Sequence, residues 1–217
     1  MPSTSANPKA LVLIADGTEE MEFTITYDTL VRGGFDTTSA FVDTFRAQTG
    51  SQPERKAVSD NLAVATCSRG VKIIADTVFE AEGASEKFGP DKFDLLVIPG
   101  GMIGAKTLSD KKSGVPKLVR EYLDKDKYVG MICAGSLAAK SAELPRQPLT
   151  SHPSVKEELE SSFDYSEESV VISGKLVTTR GPGSTFPFAL TLVELIQGKD
   201  KRKEISPPMM FPPQTPW

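Results

Sequence analysis

The 217-residue sequence predicts an α/β fold in which a mostly parallel sheet is covered by helices on both faces. The continuous apolar run at residues 10–15 has the composition of a strand buried on both faces, and a second apolar run spans residues 93–98. Helical segments follow these runs, and a third strand-like run ends at Cys133. Strands that alternate with helices are typical of a parallel sheet, so we expect one such domain.

The first strand and helix have clear start and stop signals. Residues 10–15 form the strand, and residues 16–18 turn the chain. The acidic residues within 19–22 suit the first turn of a helix, because negative charge is stabilised at a helix N-terminus. That helix reaches about Arg32, and the glycine pair at 33–34 stops it.

Further elements are predicted along the rest of the chain. A strand is expected over 70–75, a helix over 115–123 and a β-hairpin over 170–179. The segment 184–197 repeats apolar residues with helical spacing, and Pro187 is tolerated there because it falls in the first turn.

The predicted domain runs from residue 10 to residue 198, with a flexible tail at 1–9. Polar residues with Gly and Pro at 44–60 indicate a surface loop insertion. Residues 199–217 are assigned as a proline-rich C-terminal tail. From Ser206 onward its prolines predict an extended, non-helical arm, either disordered or laid over the domain.

Composition excludes several classes of protein. The chain is 39% hydrophobic with a formal net charge of -4, so it lacks the basic surface that nucleic-acid binding requires. Two cysteines, Cys67 and Cys133, argue against a disulfide framework and suit a reducing compartment. The apolar run at 10–15 is too short for a signal peptide or a membrane span. We therefore expect a cytoplasmic protein, with a nuclear location equally compatible.

Cys133 is the first candidate for chemistry. The run 129–132 leads into Cys133 and the small residues 134–136, which favour a sharp turn from a strand into a helix. A sulfur at a helix N-terminus has a depressed pKa, since backbone N–H groups and the helix dipole stabilise the thiolate. The alternative is an inert cysteine buried in the core, which is the usual environment of a free thiol.

Glycines 100 and 101 are candidates for substrate binding. They follow a buried strand, as Cys133 does, and the carboxyl ends of parallel strands lie at one edge of the sheet. The N–H groups of Gly100 and Gly101, together with that of Ala134, could polarise an oxyanion. An ordinary tight turn would use the same glycine pair.

Six short motifs occur in order across residues 10–198. They are Gly17-Thr18-Glu19-Glu20-Met21-Glu22, Cys67-Ser68-Arg69, Pro99-Gly100-Gly101, Ile132-Cys133-Ala134-Gly135, Thr150-Ser151-His152-Pro153 and Thr179-Arg180-Gly181-Pro182-Gly183. Together they resemble the ThiJ/PfpI superfamily, in the branch of the parkinsonism-associated protein deglycases and glutathione-independent glyoxalases. The resemblance implies a flavodoxin-like three-layer sandwich, a homodimer, small reactive aldehydes as substrates, and no metal or organic cofactor.

The resemblance also implies roles for individual residues. Cys133 matches the nucleophile of the family, Glu22 the acidic residue beside it, and His152 a histidine that points toward the cysteine. Without the family, Glu22 would be read as a solvated first-turn glutamate and His152 as a loop residue. Arg69 and Arg180 match arginines near the pocket or the dimer contact, and a surface role for either is an open alternative.

Other positions depart from related branches. Ala134 stands where the protease-like branch has histidine, which disfavours peptidase activity, and Pro153 breaks the His-x-Glu pattern of glutamine amidotransferases. Ser136 replaces a proline found in many close deglycases, which we expect to alter the flexibility of the pocket. For Cys67, buried or interfacial packing is expected.

These observations favour a glutathione-independent glyoxalase. The Cys133 thiolate would add to methylglyoxal or glyoxal, and Glu22 would move protons in the resulting hemithioacetal to give lactate or glycolate. Deglycation of proteins or nucleotides would use the same first steps. The alternative is a non-enzymatic oxidative-stress sensor or chaperone-like protein that acts through oxidation of Cys133.

Overall fold

A seven-stranded sheet forms the middle layer of the molecule. The computed structural model describes residues 6–43 and 63–215. The strands in these ranges are β1 (Lys9–Ile14), β2 (Asp36–Val42), β3 (Val64–Thr66), β4 (Lys72–Ile74), β5 (Thr77–Phe79), β6 (Leu95–Ile98), β7 (Tyr128–Ile132), β8 (Pro148–Leu149), β9 (Asp164–Tyr165), β10 (Val170–Ser173) and β11 (Leu176–Thr179). The sheet order is β10-β11-β7-β6-β1-β2-β5, with every neighbouring pair parallel except β10 and β11.

Helices cover the sheet in two groups. The helices are α1 (Glu20–Arg32), α2 (Ala84–Phe88), α3 (Met102–Ser109), α4 (Val115–Asp124), α5 (Leu137–Ser141), α6 (Lys156–Glu160), α7 (Thr185–Gln197) and α8 (Lys199–Ile205). Helix α1 packs against α7, which also contacts α8, whereas α3, α4 and α5 pack against one another. The predicted flavodoxin-like sandwich, with a mostly parallel sheet between helices, is confirmed.

Most elements predicted from local patterns are confirmed. Helices α1, α4 and α7 and the hairpin β10–β11 lie within two residues of their expected positions. The strand expected at 70–75 is the shorter β4, which pairs with β3 in a separate two-stranded antiparallel sheet. The predicted loop at 44–60 and residues 1–5 of the predicted N-terminal tail lie outside the described residues.

The centre of the sheet explains where a site can form. Strands β1 and β6 are apolar throughout their buried length because helices cover both of their faces. Leu96 pairs with Leu11 on one side and with Val129 on the other, so three strands run in register. The residues that follow β1, β6 and β7 consequently emerge at the same edge.

The C-terminal region differs from its prediction. Helix α8 follows α7 directly and buries Ile205, so folded structure continues past residue 198. A 3₁₀ turn at Pro207–Met209 also shows that helical geometry does not end at Ser206. Proline is compatible with the start of a turn, where its missing N–H would have no partner. Beyond this turn, the Phe211 ring packs edge-on against the Phe186 ring, with centroids 5.1 Å apart.

Candidate active site

Cys133 occupies a strained turn at the end of β7. Its φ is +60°, a left-handed conformation that is uncommon for a residue with a side chain. The chain then forms a 3₁₀ turn, Cys133–Ser136, before α5, which confirms the predicted sharp turn from strand to helix. Gly135 is required there, because a Cβ at this position would lie 2.6 Å from the carbonyl oxygen of Ile98. The Cys133 side chain is held at the sheet edge with 9% of the residue exposed.

Glu22 approaches Cys133 from the first turn of α1. The residue is completely buried, so the interpretation as a solvated helix-start glutamate is wrong. Its backbone N–H donates to the carboxylate of Glu19, the N-cap residue, at 2.7 Å. Its own Oε2 accepts a hydrogen bond of 2.7 Å from the backbone N–H of Gly100. Two backbone contacts therefore fix the position of this carboxyl group.

Gly100 allows the acid and the thiol to meet. A Cβ on Gly100 would lie 2.6 Å from Cβ of Cys133 and 2.7 Å from Oε2 of Glu22, closer than any side chain tolerates. With glycine at this position, the Glu22 carboxyl and the Cys133 thiol lie side by side, and each shifts the pKa of the other. The pairing of Glu22 and Cys133 implied by the resemblance is present in the structure.

Burial controls the protonation of both groups. It raises the pKa of Glu22 to about 7, against the opposing effect of the hydrogen bonds from Gly100 and Cys133. Burial and then the charge of Glu22 raise the pKa of Cys133 to about 12, although the N–H groups of Ala134 and Gly101 act in the opposite direction. The depressed thiol pKa expected from a helix N-terminus is therefore wrong. With these values the pair holds one proton, on sulfur, above pH 7, and takes up a second, on Glu22, as the pH falls through 7.

The three predicted oxyanion donors differ in what they do in the structure. The backbone N–H groups of Gly101 and Ala134 lie close enough to the Cys133 thiol to lower its pKa. Gly100 was expected to join them, but its N–H donates to Glu22. Gly101 has φ of +84°, and a Cβ there would lie 2.2 Å from the carbonyl oxygen of Gly17. The Gly100 N–H therefore holds the carboxylate, and the oxyanion role of Gly101 and Ala134 stays a prediction.

His152 lies at the surface and caps a short turn. Its Nδ1 accepts from the Ser154 N–H at 3.2 Å and lies 2.8 Å from the Ser154 hydroxyl. The groups that shift the pKa of Cys133 do not include His152. Among the described residues, no hydrogen bond joins His152 to Cys133 or Glu22. The structure thus assigns it a capping contact, and its catalytic role stays a prediction.

Ser136 connects the turn at Cys133 to the segment that carries His152. The serine is fully buried, and its hydroxyl donates to the carbonyl oxygen of Thr150 at 2.9 Å. Thr150 is anchored in turn, because its N–H donates to the hydroxyl of Thr178 at 2.9 Å. The expectation of altered pocket flexibility missed this contact. The sequence offered one signal for the contact, because Ser136 brings a hydroxyl group to the small residues of the predicted turn.

The two arginines contact other surfaces. The Arg69 side chain is exposed, while its backbone N–H donates to the buried carboxylate of Glu20. Arg180 donates from Nη1 to the carbonyl oxygen of Glu167 at 2.8 Å. In the part of the chain that the structure describes, neither guanidinium hydrogen-bonds to Cys133 or Glu22. Their roles at the pocket or in a dimer stay predictions.

Cys67 and the acidic turn before α1 form the support of the site. Cys67 is buried, as expected, and burial followed by the charges of nearby acidic residues raises its pKa to about 11. Glu20 also accepts a hydrogen bond from the Ser68 hydroxyl at 2.8 Å, which joins α1 to the loop after β3. Over residues 6–43 and 63–215, no group of three or more His, Cys, Asp or Glu side chains could hold a metal ion. In the same ranges, no helix is long and apolar enough to cross a membrane.

Comparison with known proteins places this geometry in context. A model described as the DJ-1/PfpI family matches residues 8–195. The chain is 33% identical over 206 residues to "Glutathione-independent glyoxalase DJ-1" of Schizosaccharomyces pombe, covering 94% of this chain and 99% of that protein. The solved structure of S. pombe DJ-1 superposes with a TM-score of 0.78 at 32% identity, over 94% of this chain and 100% of the other. Drosophila melanogaster DJ-1beta gives a TM-score of 0.78 at 33% identity, over 95% and 100%.

Proposed function

The chain belongs to the DJ-1/PfpI family, and we propose that it is a glutathione-independent glyoxalase that converts methylglyoxal to lactate and glyoxal to glycolate. One observation carries the proposal. A fully buried carboxyl group with a pKa of about 7 lies beside the Cys133 thiol, and the backbone N–H groups of Gly101 and Ala134 lower the pKa of that thiol. This arrangement provides a nucleophile, a base of suitable strength and a site for an oxyanion.

The first step is addition of Cys133 to the aldehyde. The thiol proton passes to the Glu22 carboxylate as sulfur bonds to the aldehyde carbon, and the carbonyl π electrons move to oxygen. The N–H groups of Gly101 and Ala134 then donate to that oxygen, a role supported by their effect on the pKa of the neighbouring thiol. The raised pKa of Glu22 supports this step, since a base with a pKa near 7 is ionised at neutral pH and still holds a proton well.

The second step moves a proton between neighbouring carbons of the substrate. Glu22 first gives the thiol proton to the alkoxide oxygen, which restores its carboxylate. The carboxylate then removes the hydrogen of the former aldehyde carbon to form an enediolate, whose remaining hydroxyl proton moves from the first oxygen to the second. Protonated Glu22 finally returns its proton to the adjacent carbon. The first carbon is thereby oxidised to a thioester and the second is reduced to a carbinol. Water then hydrolyses the thioester, which releases the hydroxy acid and restores the Cys133 thiol. Atoms balance with one water consumed, and each step uses only water and groups of the chain.

The finer classification follows from this scheme. A carbon–oxygen lyase of the D-lactate dehydratase type is our assignment for the reaction. Deglycation is the second activity we assign, because a hemithioacetal or aminal on a protein or nucleotide releases an aldehyde that Cys133 can trap. The two free thiols, at Cys67 and Cys133, support residence in the reducing environment of the cytoplasm, and of the nucleus as well.

A lactate assay tests the proposal. The purified protein is incubated with methylglyoxal without glutathione, and lactate is measured for the wild type, Cys133→Ser and Glu22→Gln. We expect both variants to lose at least about 100-fold in kcat/KM, since each removes a group that reacts directly. Cys67→Ser is the matched control, because it changes the other buried cysteine and should retain turnover. Equal lactate production by the wild type and both site variants would refute the scheme.

A non-enzymatic oxidation sensor is the second candidate. Glu22 Oε1 is buried without a hydrogen-bond partner among the described residues, so a protonated Glu22 could donate to an oxygen bound to Cys133. Intact mass after mild treatment with hydrogen peroxide distinguishes the two functions. Selective addition of two oxygens at Cys133, with negligible aldehyde turnover before oxidation, would favour the sensor or chaperone-like role.

A second copy of this chain is the partner we propose. Two exposed apolar side chains lie on α1, Met21 at 51% and Val31 at 49%, and another, Ile74 at 58%, lies on β4. Burial of such side chains between identical subunits would stabilise a dimer. Sedimentation equilibrium should give twice the monomer mass, and Ile74→Lys should shift the protein toward monomer. A monomeric wild type at micromolar concentration would contradict the dimer.

A further inference from the structure

Helix α3 begins with two large apolar residues that face solvent. Met102 is 59% exposed and Ile103 is 69% exposed. The later apolar residues of the same helix, Ala105 and Leu108, are fully buried against the domain. Packing against the core therefore explains the apolar residues in the second half of α3. It does not explain the two apolar residues of the first turn.

These two residues lie at the mouth of the active site. Gly100 stands two positions before Met102, and a Cβ on Gly100 would lie 2.6 Å from Cβ of Cys133. Since consecutive Cα atoms are about 3.8 Å apart, the first turn of α3 starts beside the reacting atom. Other exposed apolar residues, such as Ile172 on β10, lack this connection to the site.

Contacts on both sides define the opening. Ile103 lies over the turn after β1, because a Cβ on Gly17 would be 2.5 Å from Cβ of Ile103. On the other side, the Met102 sulfur lies 3.8 Å from the hydroxyl oxygen of Ser154, next to His152. Met102 and Ile103 thus form an apolar rim between the turn after β1 and the segment that carries His152.

We propose that this apolar rim selects 2-oxoaldehydes with a large apolar substituent over glyoxal. The inference rests on the proposed glyoxalase function. With the aldehyde carbon bonded to Cys133 and its oxygen at the N–H groups of Gly101 and Ala134, the substituent on the second carbon extends away from the sheet edge. In phenylglyoxal that substituent is an aromatic ring, whereas in glyoxal it is hydrogen. Contact between the ring and the rim removes apolar surface of both from water, and glyoxal gains nothing comparable.

Substrate competition between the two aldehydes tests the rim. We expect wild-type kcat/KM for phenylglyoxal to exceed that for glyoxal, and Met102→Ser/Ile103→Ser to lower this ratio about fivefold. Glyoxal turnover should stay within about twofold of the wild type, which shows that the site is intact. Met102→Leu should keep the preference, and Ile172→Ser is the matched control for loss of an exposed apolar side chain. An unchanged ratio in the double variant would overturn the proposal.

A second measurement does not depend on turnover. Alkylation of Cys133 by 2-bromoacetophenone and by bromoacetone, followed by intact mass, compares an aryl with a methyl substituent on the same reactive group. The double variant should lower the ratio of these two rates by a similar factor. If neither aldehyde is converted by the wild type, the glyoxalase function fails, and the alkylation ratio alone decides for or against the rim.

Discussion

The backbone N–H of Gly100 lies 2.7 Å from Oε2 of Glu22, and this contact assigns the two residues to one task. A glycine expected to bind substrate oxygen instead holds the base. Because the same glycine leaves room for Cβ of Cys133, it also sets how closely the base and the nucleophile approach. The geometry of the pair therefore depends on the loop after β6 as much as on the two reacting residues.

The pH dependence of turnover follows from the pKa of Glu22. Ionised Glu22 is needed to accept the thiol proton, and its pKa is raised to about 7 by burial. As the pH falls below about 7, the carboxylate is protonated, so kcat/KM should fall and approach about tenfold per pH unit. A pH profile of lactate formation between pH 5 and 9 measures this. The residual activity of Glu22→Gln should show no such decline, and a flat wild-type profile would contradict the assignment.

Glu22 should also make the fold less stable as pH rises. The carboxyl ionises near 4.5 in the unfolded chain but near 7 in the folded protein, so the folded state binds more protons between these values. The favourable contribution is fully present below about pH 4.5 and is lost as pH rises through 7. Glu22→Gln avoids the loss, so its stability relative to wild type should be greater at pH 8 than at pH 4.5, by about 3 kcal/mol at most.

Urea unfolding at several pH values measures this difference. Glu157→Gln is the matched control, because Glu157 is an exposed glutamate in the first turn of α6. Its stability should follow that of the wild type across the range. If the stability of Glu22→Gln also changes with pH as that of the wild type does, burial does not raise the pKa of Glu22.

Gly100→Ala should impair the reaction far more than an average surface substitution. The added methyl group would lie 2.6 Å from Cβ of Cys133, so the nucleophile and Glu22 must move apart. We expect at least about a 100-fold loss of kcat/KM, as displacements of about 1 Å have that effect at reacting groups. Gly183→Ala is the control, since a Cβ at Gly183 meets nothing within 4 Å. Comparable activity of the two variants would argue against the close approach.

Ser136→Ala should destabilise the protein through Thr150. Removal of the hydroxyl leaves the buried Thr150 carbonyl without its 2.9 Å hydrogen bond, which costs about 1–3 kcal/mol. Thermal unfolding together with urea titration measures the change. Ser161→Ala, at an exposed serine, should have almost no effect. If the two alanine variants are equally stable, the contact does not hold the segment that carries His152.

Local signals predicted the parts of the fold that depend on neighbouring residues. The apolar run of β1 and the acidic start and glycine stop of α1 are properties of short segments, and both elements appear where expected. The signal for the turn at Cys133 is also local, because a sharp turn needs small residues and these directly follow the cysteine. Helix α8 was missed because the nearby prolines indicated an extended arm, although they begin only after Ser206.

The remaining features arise from contacts between distant segments. The raised pKa of Cys133 depends on how deeply the folded chain buries the sulfur, which a neighbouring helix N-terminus does not reveal. The partner of the Gly100 N–H lies 78 positions away in Glu22, and Ser136 and Thr150 are 14 positions apart. For His152, the contact with Ser154 is local, and Pro153 between them gave a signal for a turn that was available in the sequence.

The carboxylate of Glu19 starts helix α1 and binds the N–H of Glu22, so helix initiation and placement of the base share one turn. The same turn also contacts the loop after β6 directly, since the Glu19 N–H donates to the Gly100 carbonyl oxygen at 3.1 Å. Transplanting this chemistry into another α/β scaffold would consequently require moving both loops together as a matched block, since grafting the cysteine and the glutamate alone would leave their spacing undefined.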